Sequence, residues 1–279
     1  MVNSMIDVFL SQDFMQKALL AGFLASLACG IIGTYVVVKK ITFISGGIAH
    51  GVLGGIGIAY YFKFNPLIGA IVAALISAVI IGLVSIRRYQ NEDTIIGALW
   101  AIGMAVGILF ISMTPGYNTD LLSYLFGNIL MVTSGDLWII SILDLFILAL
   151  VIGFYKHFLA VCFDEEFARI RGIKVEFTYL LLLCLVACTV VILIQVVGLI
   201  LVIALLTLPA AITGHFVQRL WKIMIGASIL GIIFTASGLI VSYKLDIPSG
   251  ATIILISGVT YILTSLTIYI ITKIKKSRA

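Results

Sequence analysis

The feature that most constrains this chain is a succession of long apolar runs. Each run is about 20 residues long, which as a helix matches the roughly 30 Å hydrocarbon core of a bilayer. The nine runs are 18–38, 44–61, 66–86, 94–113, 137–157, 177–196, 197–218, 223–243 and 251–272. In lipid the backbone polar groups must be satisfied within each segment, so the runs predict an all-α polytopic membrane protein.

The number of spans depends on one boundary. The apolar stretch 177–218 is too long for a single span and is expected to turn between Gln195 and Gly198. Without two complete spans there the count falls from nine to eight. A shorter apolar piece, Leu121 to Val132, cannot cross a bilayer and is predicted to be re-entrant or to lie on the outer surface.

Composition excludes a water-soluble enzyme. Hydrophobic residues make up 62% of the chain and charged residues only 10%, whereas soluble domains have about 25% charged residues. The spans leave no room for a separate soluble domain, so residues 1–279 are interpreted as a single transmembrane domain.

The positions of the basic residues predict the orientation in the membrane. With the N-terminus outside, all but three of the 17 Lys and Arg fall on the cytoplasmic side of the bilayer. The segment 1–17 is then an external N-terminus and 273–279 a basic cytoplasmic tail. The net charge of +5 thus reflects topology and indicates no nucleic-acid partner.

A polar segment between two spans, 163–176, reads FDEEFARIRGIKVE. Its acidic residues come first, namely Asp164, Glu165 and Glu166. The basic Arg169 and Arg171 follow, and Gly172 provides a stop signal. This order complements a helix dipole and predicts a short, charged surface helix, with a solvated connecting loop as the alternative.

Glycines recur at fixed intervals in two spans. Gly47, Gly51 and Gly55 repeat every fourth residue in the second span, and Gly103 and Gly107 repeat the pattern in the fourth. Such stripes allow close helix approach and are interpreted first as packing features, and second as a lining for a pathway.

Ionisable residues inside the bilayer are functional candidates because burying them is costly. His50 lies on the glycine-rich second span, where a neutral imidazole is a good ligand for zinc and other transition metals. Its alternative role is that of a hydrogen-bonded core residue. Asp144 either carries a carboxylate on a cation route or reaches water near the outer interface, and Asp246 before Pro248 either guides cations inward or caps a loop.

Several motifs are absent from the sequence. No GxxxxGK[ST] phosphate loop occurs, so the chain is not expected to hydrolyse ATP by that route, and no HExxH or GxSxG motif is present. The chain is therefore interpreted as a membrane protein that is not an enzyme, neither an ATPase nor an intramembrane protease, with no cofactor of its own. Its few buried charges also fit poorly with a proton- or sodium-coupled carrier.

Over essentially its whole length, the sequence resembles the permease subunits of the zinc, manganese and iron ABC importers of bacteria. The segments that carry the likeness are 14–40, 44–60, 163–173 with 196–211, and 237–255. The resemblance implies a type II ABC importer-like bundle in the cell membrane of a bacterium or archaeon. It also implies a permease homodimer, a cytoplasmic ATPase that holds the ATP, and an extracytoplasmic metal-binding lipoprotein.

The resemblance also implies two functional regions. The first is a coupling helix at about 163–175 that docks on the ATPase, with contact residues Phe163, Asp164, Glu165, Glu166, Phe167, Ala168, Arg169 and Gly172. The second is a metal position in the second span, where the family has an acidic residue four positions before the histidine. Here Gly46 replaces it before His50, and losing a hard oxygen ligand favours zinc over manganese or iron as the cargo.

A gradient-driven metal channel or secondary transporter is the alternative function. Glycine stripes and a membrane-embedded histidine are compatible with it. Uptake that follows an ion gradient and ignores ATP depletion would distinguish it from an ABC importer.

Overall fold

The computed structural model describes residues 12–86, 92–114 and 129–278. Within these ranges the chain forms ten α-helices and a single 3₁₀ turn at Ile129–Met131, and no strand. The helices are α1 Asp13–Lys39, α2 Thr42–Tyr61, α3 Pro66–Ile86, α4 Glu92–Ser112, α5 Ser134–Phe163, α6 Glu165–Ile170, α7 Val175–Val197, α8 Leu199–Phe216, α9 Leu220–Leu245 and α10 Ser249–Arg278. The predicted all-α bundle is confirmed.

Eight of the described helices are long and apolar enough to cross a membrane, namely all except α6 and α8. The predicted division of the 177–218 stretch is confirmed, because α7 ends at Val197 and α8 begins at Leu199. Gly198 between them has φ 79°, a conformation that glycine adopts readily. Helix α8 has 18 residues and is the shortest of the apolar helices, and the eight long helices of the described residues match the lower of the two expected counts.

Helix ends extend beyond the predicted spans at both termini. Helix α1 already begins at Asp13, within the predicted external segment 1–17, and α10 continues to Arg278 through most of the predicted tail. Hydropathy marks the part of a helix in hydrocarbon, whereas the helix itself continues while polar side chains support it. The i,i+4 ion pair between Lys17 and Asp13, at 2.6 Å, is one such support.

The predicted outer-surface piece Leu121 to Val132 lies largely outside the described residues. Ile129–Met131 forms the 3₁₀ turn, and Ile129 is buried. Helix α5 then begins with a capping box, in which the Thr133 hydroxyl accepts from the Asp136 amide at 3.2 Å and the Thr133 amide donates to the Asp136 carboxylate at 3.0 Å. The box satisfies amide groups that the first turn of a helix leaves without partners.

Helices α1 and α7 form the centre of the bundle, because most residues of their spans are buried. Helix α1 packs closely on α9 at Gly30, where an added Cβ would collide with the backbone of Ser228. One turn away, the hydroxyls of Ser26 and Thr235 share a hydrogen bond of 3.2 Å. Small residues and an interhelical hydrogen bond therefore hold these two spans together, as is common in membrane bundles.

The predicted packing role of the glycine stripes is confirmed between α2 and α4. A Cβ at Gly54 would lie 3.0 Å from the carbonyl oxygen of Gly103, and a Cβ at Gly57 would lie 2.5 Å from that of Gly107. On another side of α2, a Cβ at Gly51 would lie 2.6 Å from the hydroxyl of Ser77 in α3. The backbones of α2 and α4 approach so closely that they act as one packed unit, and this unit carries His50.

Candidate functional site

His50 is held at the contact between α2 and α4. Its imidazole stacks on the indole of Trp100, with ring centroids 3.9 Å apart and an angle of 12° between the planes. Both side chains are half-buried. The stack is possible because glycines on both helices bring their backbones close, so the rings meet face to face across the interface.

One nitrogen of His50 has no hydrogen-bond partner. Nδ1 is buried, and no described residue donates to it or accepts from it. A hydrogen-bonded core histidine would satisfy this atom, whereas a metal ligand must keep a nitrogen lone pair available. The local geometry therefore favours the predicted ligand role for Nδ1.

The surface beside His50 is apolar. Gly46 lies one turn earlier on the same face, where an added Cβ would be 3.2 Å from Cδ1 of Ile203 and 3.4 Å from Cζ3 of Trp100. Among the described residues there is no group of three or more His, Cys, Asp or Glu side chains that could hold a metal ion. The described part of one chain thus offers a single imidazole and no complete cage.

Asp144 is buried in α5, with 6% of its surface exposed. Neither of its carboxylate oxygens has a hydrogen-bond partner among the described residues. The predicted access to water is therefore wrong for this conformation, because the side chain is covered by protein. A role for Asp144 in cation movement stays a prediction.

Asp246 ends helix α9. It adopts a left-handed conformation with φ 53°, which Asp tolerates better than most residues, and its amide donates to the carbonyl of Ser242. The Ser242 hydroxyl donates to the carbonyl oxygen of Ile247 at 2.5 Å and closes the turn. Asp246 is exposed and terminates the helix, and its predicted role in guiding cations stays a prediction.

The polar segment after α5 forms a short helix, α6, and not the loop that was the alternative. Asp164 caps its start by accepting a hydrogen bond from the Phe167 amide at 2.9 Å. Its end is a Schellman motif, in which the amide of Ile173 donates to the carbonyl of Ala168 and that of Gly172 to Arg169, both at 3.0 Å. Gly172 has φ 76°, so the predicted stop at this glycine is confirmed.

Helix α6 presents apolar side chains to its surroundings. Phe163 is 64% exposed, Phe167 47% and Ile170 85%. Phe167 and Ile170 are three residues apart on α6 and share one face, whereas Phe163 is the last residue of α5, before the extended Asp164. Ile170 was not among the predicted contact residues, although its spacing from Phe167 would have identified it. Ala168, in contrast, is fully buried and anchors the helix to the bundle, and the predicted set of docking contacts stays a prediction.

Two ion pairs fasten α6 to neighbouring spans. Lys39 at the end of α1 contacts Glu165 at 2.5 Å and also donates to the carbonyl of Val161 at 2.9 Å. Arg169 contacts Glu176 at the start of α7 at 2.6 Å. A polar cavity of about 340 Å³ is lined by these residues together with the end of α3 and the start of α4. These helix ends therefore lie on the same side of the molecule as α6.

The fold and these regions define a class of protein, a polytopic helical membrane protein with a short surface helix between two of its spans. Comparison with known proteins identifies the family. The sequence model of the ABC 3 transport family matches residues 11–268, and the chain belongs to this family of ABC transporter permeases.

Individual relatives agree with this assignment. The chain is 46% identical over 245 residues to a probable metal transport system membrane protein of Chlamydia trachomatis, covering 86% of this chain and 84% of that one. It is 36% identical over 251 residues to the manganese transport system membrane protein MntC of Halalkalibacterium halodurans, covering 90% and 86%. Its fold matches a chain of PsaBC from Streptococcus pneumoniae, solved in complex with Fab, with a TM-score of 0.86, 30% identity and 95% of each chain covered. The chain is therefore a metal ABC transporter permease.

Proposed function

We propose that this chain forms the cation pathway of an ATP-driven importer of a divalent transition metal, with His50 as a ligand along that pathway. The observation that carries the proposal is the buried Nδ1 of His50, which has no hydrogen-bond partner among the described residues and lies between the packed helices α2 and α4. A single imidazole in an apolar surrounding suits transient contact with a passing ion better than storage of one.

The partners follow from the family. ATP is bound and hydrolysed by a separate ATPase, and a second copy of this permease together with an extracytoplasmic binding protein completes the importer. The apolar surface of Phe163, Phe167 and Ile170 is the proposed docking surface for the ATPase, because exposed large apolar side chains outside the bilayer typically mark protein contacts. The membrane is the cell membrane, with the N-terminus outside and α6 in the cytoplasm.

Two observations bear on the cargo and favour different metals. The related protein of Halalkalibacterium halodurans is named for manganese transport. The apolar environment of Gly46 offers no oxygen ligand beside His50, and this favours zinc, which accepts nitrogen ligands readily. Manganese and zinc are therefore the two cargoes to compare first, with iron as a third.

The experiment is uptake by vesicles that contain the permease, its ATPase and its binding protein. Radiolabelled manganese and zinc are supplied separately, each with the other metal and ferrous iron as competitors. We expect uptake that requires ATP hydrolysis, and the competition identifies the preferred ion. Uptake that continues without ATP and follows an ion gradient would contradict the proposal, as would transport by the permease alone.

The His50→Ala variant tests the ligand role. Uptake is expected to fall while the variant still folds, because removing one half-buried side chain from a glycine-packed helix leaves the backbone contacts intact. Elution as a dimer and binding of the ATPase serve as folding controls. Wild-type uptake by a well-folded variant would exclude His50 from the pathway.

A further inference from the structure

Trp100 contacts both positions of α2 from which ligands can face the pathway. Positions 46 and 50 are one helical turn apart and share a face. The indole of Trp100 stacks on His50 with ring centroids 3.9 Å apart. A Cβ added at position 46 would lie 3.4 Å from Cζ3 of the same indole. One aromatic side chain of α4 thus covers both places.

The stack orients the imidazole without blocking it. A metal ion binds a histidine nitrogen in the plane of the ring, whereas the indole covers the face of the ring at an interplanar angle of 12°. Nδ1 remains buried and has no hydrogen-bond partner among the described residues. Because the stacked indole holds the plane of the imidazole, Trp100 fixes the direction of the nitrogen lone pair. In many metal sites a hydrogen bond to the other ring nitrogen performs this role.

A side chain at position 46 would pack against the same indole. A Cβ there would lie 3.2 Å from Cδ1 of Ile203, which is tight, and 3.4 Å from Cζ3 of Trp100, which is an ordinary van der Waals contact. The carboxylate of an Asp at this position would therefore share its space with two apolar side chains, which disfavours a charge. Gly46 leaves this space to Trp100 and Ile203.

We propose that Trp100 is a positioning and specificity-determining residue of the cation pathway. It holds the imidazole of His50 in place and crowds the space beside position 46 with apolar surface, so that the site favours ions that accept nitrogen ligation over ions that require hard oxygen ligands. The inference rests on the proposed function, in which His50 binds the passing cation.

The first experiment uses Trp100 as its own reporter. The chain has three tryptophans, so the Trp138→Phe/Trp221→Phe variant keeps Trp100 as its only indole. This variant is purified with its ATPase and titrated with Co²⁺, a paramagnetic divalent ion that quenches nearby tryptophan fluorescence. We expect saturable quenching that is lost in the added His50→Ala variant.

Two results of the titration would overturn the inference. One is the absence of saturable quenching in a complex that transports metal, and the other is quenching that His50→Ala leaves unchanged. Uptake by the unmodified complex is measured in parallel, so the two failures are distinguishable. No uptake of any cation would overturn the proposed importer, whereas normal uptake without quenching would leave the importer standing and overturn metal binding at the His50–Trp100 contact.

The second experiment is a double-mutant cycle of Gly46→Asp and Trp100→Leu. Gly46→Asp alone is expected to lower uptake at least about tenfold, and Trp100→Leu alone is expected to lower it less. Because the two residues are in contact, their effects should not be additive. The double variant should recover uptake to within about threefold of Trp100→Leu, since the smaller side chain leaves room for the carboxylate. Its preference should shift from zinc toward manganese, which a merely structural contact would not produce.

Gly46→Asn/Trp100→Leu is the matched control, because Asn has the shape of Asp without its charge. It should recover uptake with a smaller shift in metal preference. Trp138→Leu controls for the loss of a tryptophan elsewhere, since Trp138 is 72% exposed and remote in sequence from this contact. Additive losses in the double variant, or a recovered variant with unchanged metal preference, would overturn the inference.

Discussion

The α2–α4 contact and the α6 segment are built in opposite ways. At α2–α4 the backbones touch at glycines, and the functional side chains are few and mostly apolar. At α6 the helix is only six residues long, is held by caps and ion pairs, and exposes large apolar side chains. The first region tolerates almost no added volume. The second tolerates changes in shape but depends on surface chemistry, so the two regions should respond to substitution in different ways.

The largest effect is expected for Gly57→Ala. The new Cβ would lie 2.5 Å from the carbonyl oxygen of Gly107, and a backbone atom cannot rotate away. We expect a loss on the order of 3 kcal/mol in the free energy of unfolding, the upper range for overpacking. Thermal unfolding of the purified protein measures it. Gly153→Ala in α5 is the control, because nothing lies within 4 Å of its added Cβ, and equal melting temperatures for the two variants would contradict the prediction.

The next largest effect concerns binding at α6. Ile170→Asp places a charge on the most exposed of the three apolar side chains. We expect affinity for the ATPase to fall roughly 30-fold, about 2 kcal/mol, as for central residues of protein interfaces. Titration of the ATPase against the permease in detergent measures the affinity. Ile247→Asp, in the turn after α9 and 41% exposed, makes the same substitution elsewhere and should bind normally.

A third prediction concerns Asp144, whose buried carboxylate has no described partner. Asp144→Leu keeps the branched heavy-atom skeleton of the side chain and removes the unsatisfied oxygens, so the free energy of unfolding should rise by about 1 to 2 kcal/mol. Uptake should fall, since a buried carboxylate retained in a membrane helix typically serves function. Melting temperature and vesicle uptake are measured on the same preparation. Ile147→Leu on the same face is the control, and raised stability with unchanged uptake would exclude Asp144 from the pathway.

The smallest effect is expected for Arg169→Gln. The side chains of the Arg169–Glu176 pair are 55% and 45% exposed, so solvent screens the pair and its loss should lower stability by about 0.5 kcal/mol or less. The Lys39–Glu165 pair is more covered, at 16% and 37%, and Lys39 also donates to Val161. Lys39→Gln should therefore destabilise more than Arg169→Gln. The reverse order in thermal unfolding would contradict this ranking of the two pairs.

Local patterns predicted the features that depend on neighbouring residues. The apolar runs predicted the spans, and the order of acidic and basic residues before Gly172 predicted the short helix α6. The glycine stripes indicated close packing. The helices extend beyond the predicted spans, to Asp13 at one end of the chain and Arg278 at the other. Hydropathy reports the hydrocarbon region and not hydrogen bonding along the backbone.

The candidate site was only partly predictable. His50 was identified because an imidazole inside an apolar span stands out, and Gly46 because a ligand position lacks a side chain. Trp100 had no such signal. It is 50 residues further along the chain, and it meets His50 only because α2 and α4 pack backbone to backbone.

By itself the sequence determined that the chain is a membrane bundle, where its spans lie and where the surface helix begins and ends. These properties follow from the hydrophobicity and hydrogen bonding of adjacent residues, which are local quantities. Only the tertiary structure decided that Trp100 covers His50, that Ala168 is buried while Ile170 is exposed, and that the Asp144 carboxylate has no hydrogen-bond partner in the part of the chain that the structure describes. Each of these depends on which helices pack together and at what distance. Contacts between residues far apart in the sequence leave no periodic pattern in the sequence itself.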